Sequence, residues 1–165
     1  MQPQQPVITL APIASHQDTA IAQIIRTVGA EFGAVGEGFG PGDAEVQCMS
    51  RHYTAERNSR YLVAEMNGRV VGGAGLAPLR NDSKICELKK LFLLPEARGH
   101  GIGRRLAVAC LDFARERGFS SCYLDTLSSM TDAIGLYERL GFRHLDQPLL
   151  ASEHGGCDVW MLKAL

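Results

Sequence analysis

Three glycines at alternate positions follow an arginine in Arg98-Gly99-His100-Gly101-Ile102-Gly103, and two further arginines, Arg104 and Arg105, come directly after. Glycine lets backbone N–H groups approach a ligand without Cβ obstruction. Upstream, Cys86 to Leu94 alternates and then turns apolar, which reads as a strand stopped by Pro95. Downstream, the pattern reads as a helix, whose N-terminus carries unsatisfied donors and partial positive charge. Strand, basic glycine turn and helix N-terminus together make an anion site, most naturally for phosphate. Two common phosphate motifs fail at this turn. A dinucleotide G-x-G-x-x-G would need glycine at 104 or 106, where the chain has Arg104 and Leu106. An NTPase loop would need Lys-Ser/Thr after its last glycine, and neither this turn nor the glycine-rich stretch 33–42 has it.

Other reactive side chains form no recognisable centre. His16, His52, His100, His144 and His154 are scattered without metal spacing. His100 lies in the turn, within reach of a phosphate, and His154 in a loop that can border a pocket. The cysteines (Cys48, Cys86, Cys110, Cys122, Cys157) are odd in number and lack a CxxC pair. They read as small buried hydrophobes in a reducing, cytoplasmic setting. None has the His and Asp/Asn setting of a nucleophile, so no covalent enzyme intermediate and no metal are expected. A net charge of −1 points to neither nucleic acid nor an anionic membrane. The polar N-terminus shows no signal peptide, and no apolar run is long enough to span a bilayer.

The positioning elements follow from periodicity. Residues 1–6 read as a flexible tail ahead of one domain, 7–165. Val7–Leu10 is a first strand, and Ser15 with Asp18 reads as a helix cap. Ile21, Ile24, Ile25 and Val28 repeat at helical spacing. The stretch 33–42 reads as a mobile loop, serving either as a surface connection or as a pocket wall. Asp43 can cap a second helix running to about Thr54. Strands at 61–65 and 70–76 flank the hairpin signal Asn67-Gly68, and the glycines of the second indicate close approach by a neighbour. The strand 85–94 and a helix bearing Ile102, Leu106, Cys110 and Phe113 on one face come next. A strand at 122–127, a helix at 131–140, and strands at 142–145 and 157–162 close the chain. The order β-α-α-β-β-β-α-β-α-β-β predicts one α/β domain, its mixed, mostly antiparallel sheet covered by helices on both faces. Edge strands near the C-terminus would suit a homodimer.

The turn resembles the R/Q-x-x-G-x-G/A signature of the GNAT superfamily of N-acetyltransferases, with Arg98, Gly101 and Gly103 in the three motif positions. Glu87 early in the preceding strand, Pro95 at its close, and Ala133 to Phe142, similar to the family's A-x-x-x-Y-x-x-x-G-F ending, extend the match. Met130 departs from it, because many members carry asparagine there; Ser128 or Ser129 offers a hydroxyl nearby.

The resemblance implies acetyl transfer from acetyl-CoA, a co-substrate, to a primary amine of a small molecule or peptide, directly in a ternary complex. Gly99, His100, Gly101, Ile102, Gly103 and Arg104, with Arg98, would hold the pyrophosphate. A backbone N–H of Leu91 or, by preference, Leu93 would stabilise the thioester oxygen. Glu87 matches the general base, with Asp125 in reserve; otherwise it is a surface carboxylate paired with Lys89. Tyr137 matches the general acid; otherwise it is a core aromatic. A non-catalytic acyl-CoA-binding module of the same fold is the alternative, and the presence of both Glu87 and Tyr137 favours the enzyme.

Overall fold

A computed structural model describes residues 2–36, 38–149 and 155–165. Seven strands form one sheet: β1 (Ile8–Pro12), β2 (Arg60–Met66), β3 (Arg69–Pro78), β4 (Ile85–Leu93), β5 (Ser121–Thr126), β6 (Arg143–Leu145) and β7 (Val159–Ala164). Their spatial order is β1-β2-β3-β4-β5-β7-β6, and only the β4–β5 pair is parallel. The helices are α1 (Asp18–Glu31), a single turn α2 (Met49–His52), α3 (Ile102–Glu116) and α4 (Thr131–Arg139).

The sheet separates two apolar cores. The periodic face of α1 (Ile21, Ile24, Ile25, Val28) packs with Val63 and Phe92 on one side. The face of α3 (Ile102, Leu106, Cys110, Phe113) packs with Cys86, Leu88 and Cys122 on the other. Complete burial of one such side chain stabilises by about 1.5–3 kcal/mol, so these two stripes decide which sheet face each helix takes. Helices on both faces of the sheet, as predicted, are what the structure has.

Strand β4 contains the main irregularity. Gly75 faces Lys89 and Gly73 faces Phe92, so β4 carries one residue more than β3 between these pairs. The bulge takes Lys90 to φ +53°, a left-handed conformation uncommon for a lysine. A one-residue slip exchanges the two faces of a strand. Before the bulge Cys86 and Leu88 point to the α3 core; after it Leu91 and Leu93 do, while Phe92 points to the α1 core. Lys89 and Lys90 therefore extend to the same side, where both reach Glu45.

The glycines of β3 make room for this arrangement. A Cβ at Gly73 would stand 2.5 Å from the Tyr61 ring, and one at Gly75 2.8 Å. Tyr61 thus lies flat against β3 and its buried hydroxyl donates to the Lys90 carbonyl at 2.9 Å.

Three local expectations are corrected. No helix runs from Asp43 to Thr54: a 3-10 segment, Ala44–Cys48, leads into the single turn α2, and Asp43 accepts from Lys90 Nζ instead of capping. Asp18 likewise does not form a cap with Ser15; it accepts from the backbone N–H of Ser50 at 2.8 Å, tying α1 to α2. The glycine-rich segment is anchored: Pro41 is buried against Gly29 of α1, where a Cβ would meet Pro41 Cγ at 2.4 Å, and Gly40–Gly42 forms a short 3-10 turn. Each partner is distant in sequence, so periodicity and capping rules did not register it.

Gly73→Ala should lower the free energy of unfolding by about 1–3 kcal/mol through overpacking against Tyr61. Gly155→Ala, at a position where a Cβ meets nothing within 4 Å, should unfold in urea near the wild-type midpoint.

Candidate active site

The parallel pair β4–β5 is short. Ile85, Cys86 and Glu87 pair with Ser121, Cys122 and Tyr123, and the ladder ends there. Beyond Glu87 the strands part, and at this gap side chains from both sheet faces reach one space. One pocket at the gap is walled by Glu87, Asp125, Tyr137 and Cys157, with Phe39 and Pro41 from the anchored segment. A second, longer groove runs from Leu91 and Leu93 past Arg98, Gly101 and Gly103 toward α4. Leu91, Phe92 and Met130 line both, so the two spaces adjoin.

Of the residues expected to hold the cofactor, Leu91, Leu93, Arg98, Gly99, Gly101, Ile102, Gly103 and Arg104 all line the groove. Gly99 (φ +80°) and Gly101 (φ +74°) are left-handed, and a Cβ on either would point into open space. The glycines are thus required by backbone conformation and not by crowding. The N–H of Arg105 bonds back to Gly101 at 3.1 Å, so the amides of Ile102, Gly103 and Arg104 belong to the helix turn whose donors point outward. His100 is exposed and is not among the groove's lining residues; Arg105 is exposed as well.

Arg98 has partners of its own. Its guanidinium bonds both oxygens of Glu31 (2.7 and 3.1 Å) and the Leu93 carbonyl (3.0 Å). Its hydrogen bond, and then its charge, hold the Glu31 carboxyl below the ordinary range. From the opposite wall Ser129 Oγ donates to the Phe32 carbonyl at 2.8 Å. The C-terminal end of α1 is therefore tied to both sides of the groove, and it contributes Val28 and Phe32 to the lining. The sequence reading did not place these residues, or Arg139, at the site; nothing in the spacing of α1 distinguishes them from other turns of the helix. Ser128 bonds Asp158, and Met130 Sδ accepts from Thr126.

Glu87 is not a surface carboxylate: it is only 8% exposed. Lys89 bonds Glu45 at 3.3 Å. Burial alone would lower the Lys89 pKa, but Glu87 and then Glu45 outweigh it and raise it. Tyr137 is 6% exposed, stacked edge-on against Phe142 with ring centroids 5.8 Å apart. It is thus a core aromatic that also lines the pocket. Burial pushes its phenol well above the usual value, so it stays protonated and able to donate at neutral pH. Burial, and then Asp125, push the Cys157 thiol up, away from nucleophilic thiolate. Tyr53 and Tyr123, which line neither cavity, have buried hydroxyls with no well-aligned hydrogen bond among the described residues. Burial comes first in raising both phenols, followed by Glu45 for Tyr53 and Asp125 for Tyr123. Among the described residues no His/Cys/Asp/Glu group could hold a metal, and no helix is long and apolar enough to cross a membrane. Glu153 and His154 lie outside the described residues.

Residues 31–142 match the model of the acetyltransferase (GNAT) family. The chain belongs to the GNAT family. It is 41% identical over 165 residues to the uncharacterized N-acetyltransferase YjgM of Escherichia coli K12, covering 99% of this chain and 97% of that protein. It spans about half the length of several other relatives, 48% for the probable N-acetyltransferase camello of Xenopus tropicalis, to which it is 33% identical over 104 residues (63% of this chain). Among solved structures, a GNAT acetyltransferase from Staphylococcus aureus Mu50 has the same fold, with TM-score 0.82 at 20% identity over 96% of this chain and 99% of that one. YncA, a putative acetyltransferase from Salmonella typhimurium solved with its cofactor acetyl-CoA, has TM-score 0.76 at 22% identity, covering 95% and 93%. The chain is therefore an N-acetyltransferase of the GNAT fold.

Glu45 gives this site a pH signature. Burial would raise its pKa, but Lys90 and Lys89 together hold it below the ordinary range. A carboxyl depressed on folding stabilises above its unfolded pKa of about 4.3, and that contribution is lost as pH falls through the folded value. The difference in Tm between wild type and Glu45→Gln should be flat above about pH 5 and shrink below about pH 4.

Proposed function

We propose that the groove holds acetyl-CoA and the adjoining pocket holds a primary amine, with the acetyl group passing directly between them. The observation that carries this reading is the meeting of the two spaces at Leu91, Phe92 and Met130, with Glu87 and Tyr137 in the wall of the second. The groove suits the donor. Left-handed glycines and helix-end amides face one end of it, with Arg98, Arg104 and Arg139 in the lining. Such donors bind a pyrophosphate through backbone and charge together. Acetyl-CoA in the related YncA structure supports the same donor here.

The donor supplies a thioester whose carbonyl carbon the amine attacks, forming a C–N bond as the C–S bond breaks. The chain's residues handle the protons and the oxygen. Glu87 takes a proton from the amine, directly or through water, with Asp125 beside it in the same pocket. Tyr137 gives a proton to the departing sulfur. Its raised pKa keeps that proton in place until a thiolate, itself costly in a buried site, develops next to it. An N–H of Leu91 or Leu93, both at the groove, offers the oxygen a hydrogen bond. Burial and Asp125 raise the Cys157 thiol, which favours transfer without an acetylated enzyme.

A panel of amines screened with acetyl-CoA, reading free thiol, tests the reaction. Thiol release with at least one amine is expected; tight acetyl-CoA binding without release from any amine would instead make the chain an acyl-CoA-binding module. With an acceptor in hand, Tyr137→Phe should lower kcat by about 10²-fold or more while acetyl-CoA affinity stays within about twofold. Glu87→Gln should lower kcat/KM by a similar factor and abolish the acid limb of the pH–rate profile.

A further inference from the structure

Lys90 is the most buried cation of the site, with a side chain 2% exposed. Its ammonium meets Asp43 Oδ2 at 2.8 Å and Glu45 Oε1 at 2.7 Å, and both carboxylates come from the segment joining α1 to β2. Its backbone is the left-handed residue of the β4 bulge, with its carbonyl held by Tyr61. One residue thus grips two structures. Its main chain shapes the strand from which Leu91 enters both cavities, and its side chain fastens the segment that follows Phe39 and Pro41, two walls of the amine pocket. A buried ammonium is tolerated only with such partners; Glu45 is also held by Lys89 at 3.3 Å, so the pairs form one network. The further anchors of the segment, Pro41 in the notch at Gly29 and Phe39 against Gly156, are apolar and hold no charge in register with β4.

We propose that Lys90 is a positioning residue for the acceptor half of the reaction: clamped by Asp43 and Glu45, it holds the 39–45 segment against the bulge, so that the amine pocket is in place before the acceptor arrives. This rests on the acetyl-transfer reading of the two cavities. Lys90 itself belongs to the lining of the amine pocket, but in that reading it meets no reacting atom; it acts through the wall it fixes. The donor groove, whose turn at 98–104 has its own ties to Glu31 and Leu93, does not depend on the clamp.

The test compares Lys90→Met, Lys90→Arg and Asp43→Asn with wild type. Lys90→Met should raise the acceptor KM so that kcat/KM falls about tenfold to hundredfold, with the Kd for acetyl-CoA within about twofold. Lys90→Arg should recover most of the loss, and Asp43→Asn, which leaves Glu45 on the ammonium, should show a smaller KM effect. Should Lys90→Met fail to fold, Asp43→Asn and Glu45→Gln carry the same test. An unchanged acceptor KM, or an equal loss of acetyl-CoA affinity, overturns the proposal. Amide hydrogen exchange provides a readout independent of turnover: Lys90→Met should speed exchange at 38–48 and leave 98–104 unchanged. A wild-type chain that binds acetyl-CoA but acetylates nothing sinks the proposed function alone; unchanged exchange at 38–48 then sinks the clamp as well.

Discussion

The buried ammonium of Lys90 is the constraint on which much of this site depends. Taking a cation out of water is costly, and the cost is met here by two carboxylates and a bulged backbone that aims the side chain at them. The bulge also exchanges the two faces of β4. Without that exchange Leu91 and Leu93 would point to the α1 core and Phe92 to the α3 core, reversing the wall of the groove. Tyr61 and the glycines of β3 belong to the same arrangement, because the tyrosine hydroxyl reaches the Lys90 carbonyl only across a strand without side chains at Gly73 and Gly75.

The parting of β4 from β5 turns this local geometry into a site. A continuous sheet keeps its two faces apart, so Glu87 and Tyr137 could not share a pocket across it. Where the ladder stops after Glu87 and Tyr123, they can. In the proposed reading, the donor side is built from chain-local features, a glycine turn and a helix end. The adjoining pocket is assembled from Phe39 to Pro41, β4, β5 and Cys157, pieces that meet only on folding.

The members of the donor groove were the most legible part of the chain. Left-handed glycines, a helix N-terminus and the family motif all lie within a few residues of one another, and the expected lining residues meet there apart from His100. The face of each long helix was legible for the same reason: helical periodicity is written in consecutive residues. What escaped were interactions with a remote partner. Arg98 could be read from the turn motif, but its pair with Glu31, 67 residues away, could not. Glu87 appeared equally suited to a surface pair, until its burial against β5 removed that option.

From its residues alone, the chain determined the two core-facing helix stripes, the hairpin at Asn67-Gly68, the glycine turn and the family to which these belong, because each depends on neighbours a few positions apart. Tertiary structure alone decided the bulge at Lys90, the anchoring of 39–45 and the gap where the cavities meet. Register is a relation between strands, and a lysine pair such as Lys89-Lys90 carries no mark of which residue will turn left-handed until Gly73 and Gly75 are set opposite it. The groove at the glycine turn was therefore readable as sequence, and the pocket beside it exists only as a fold.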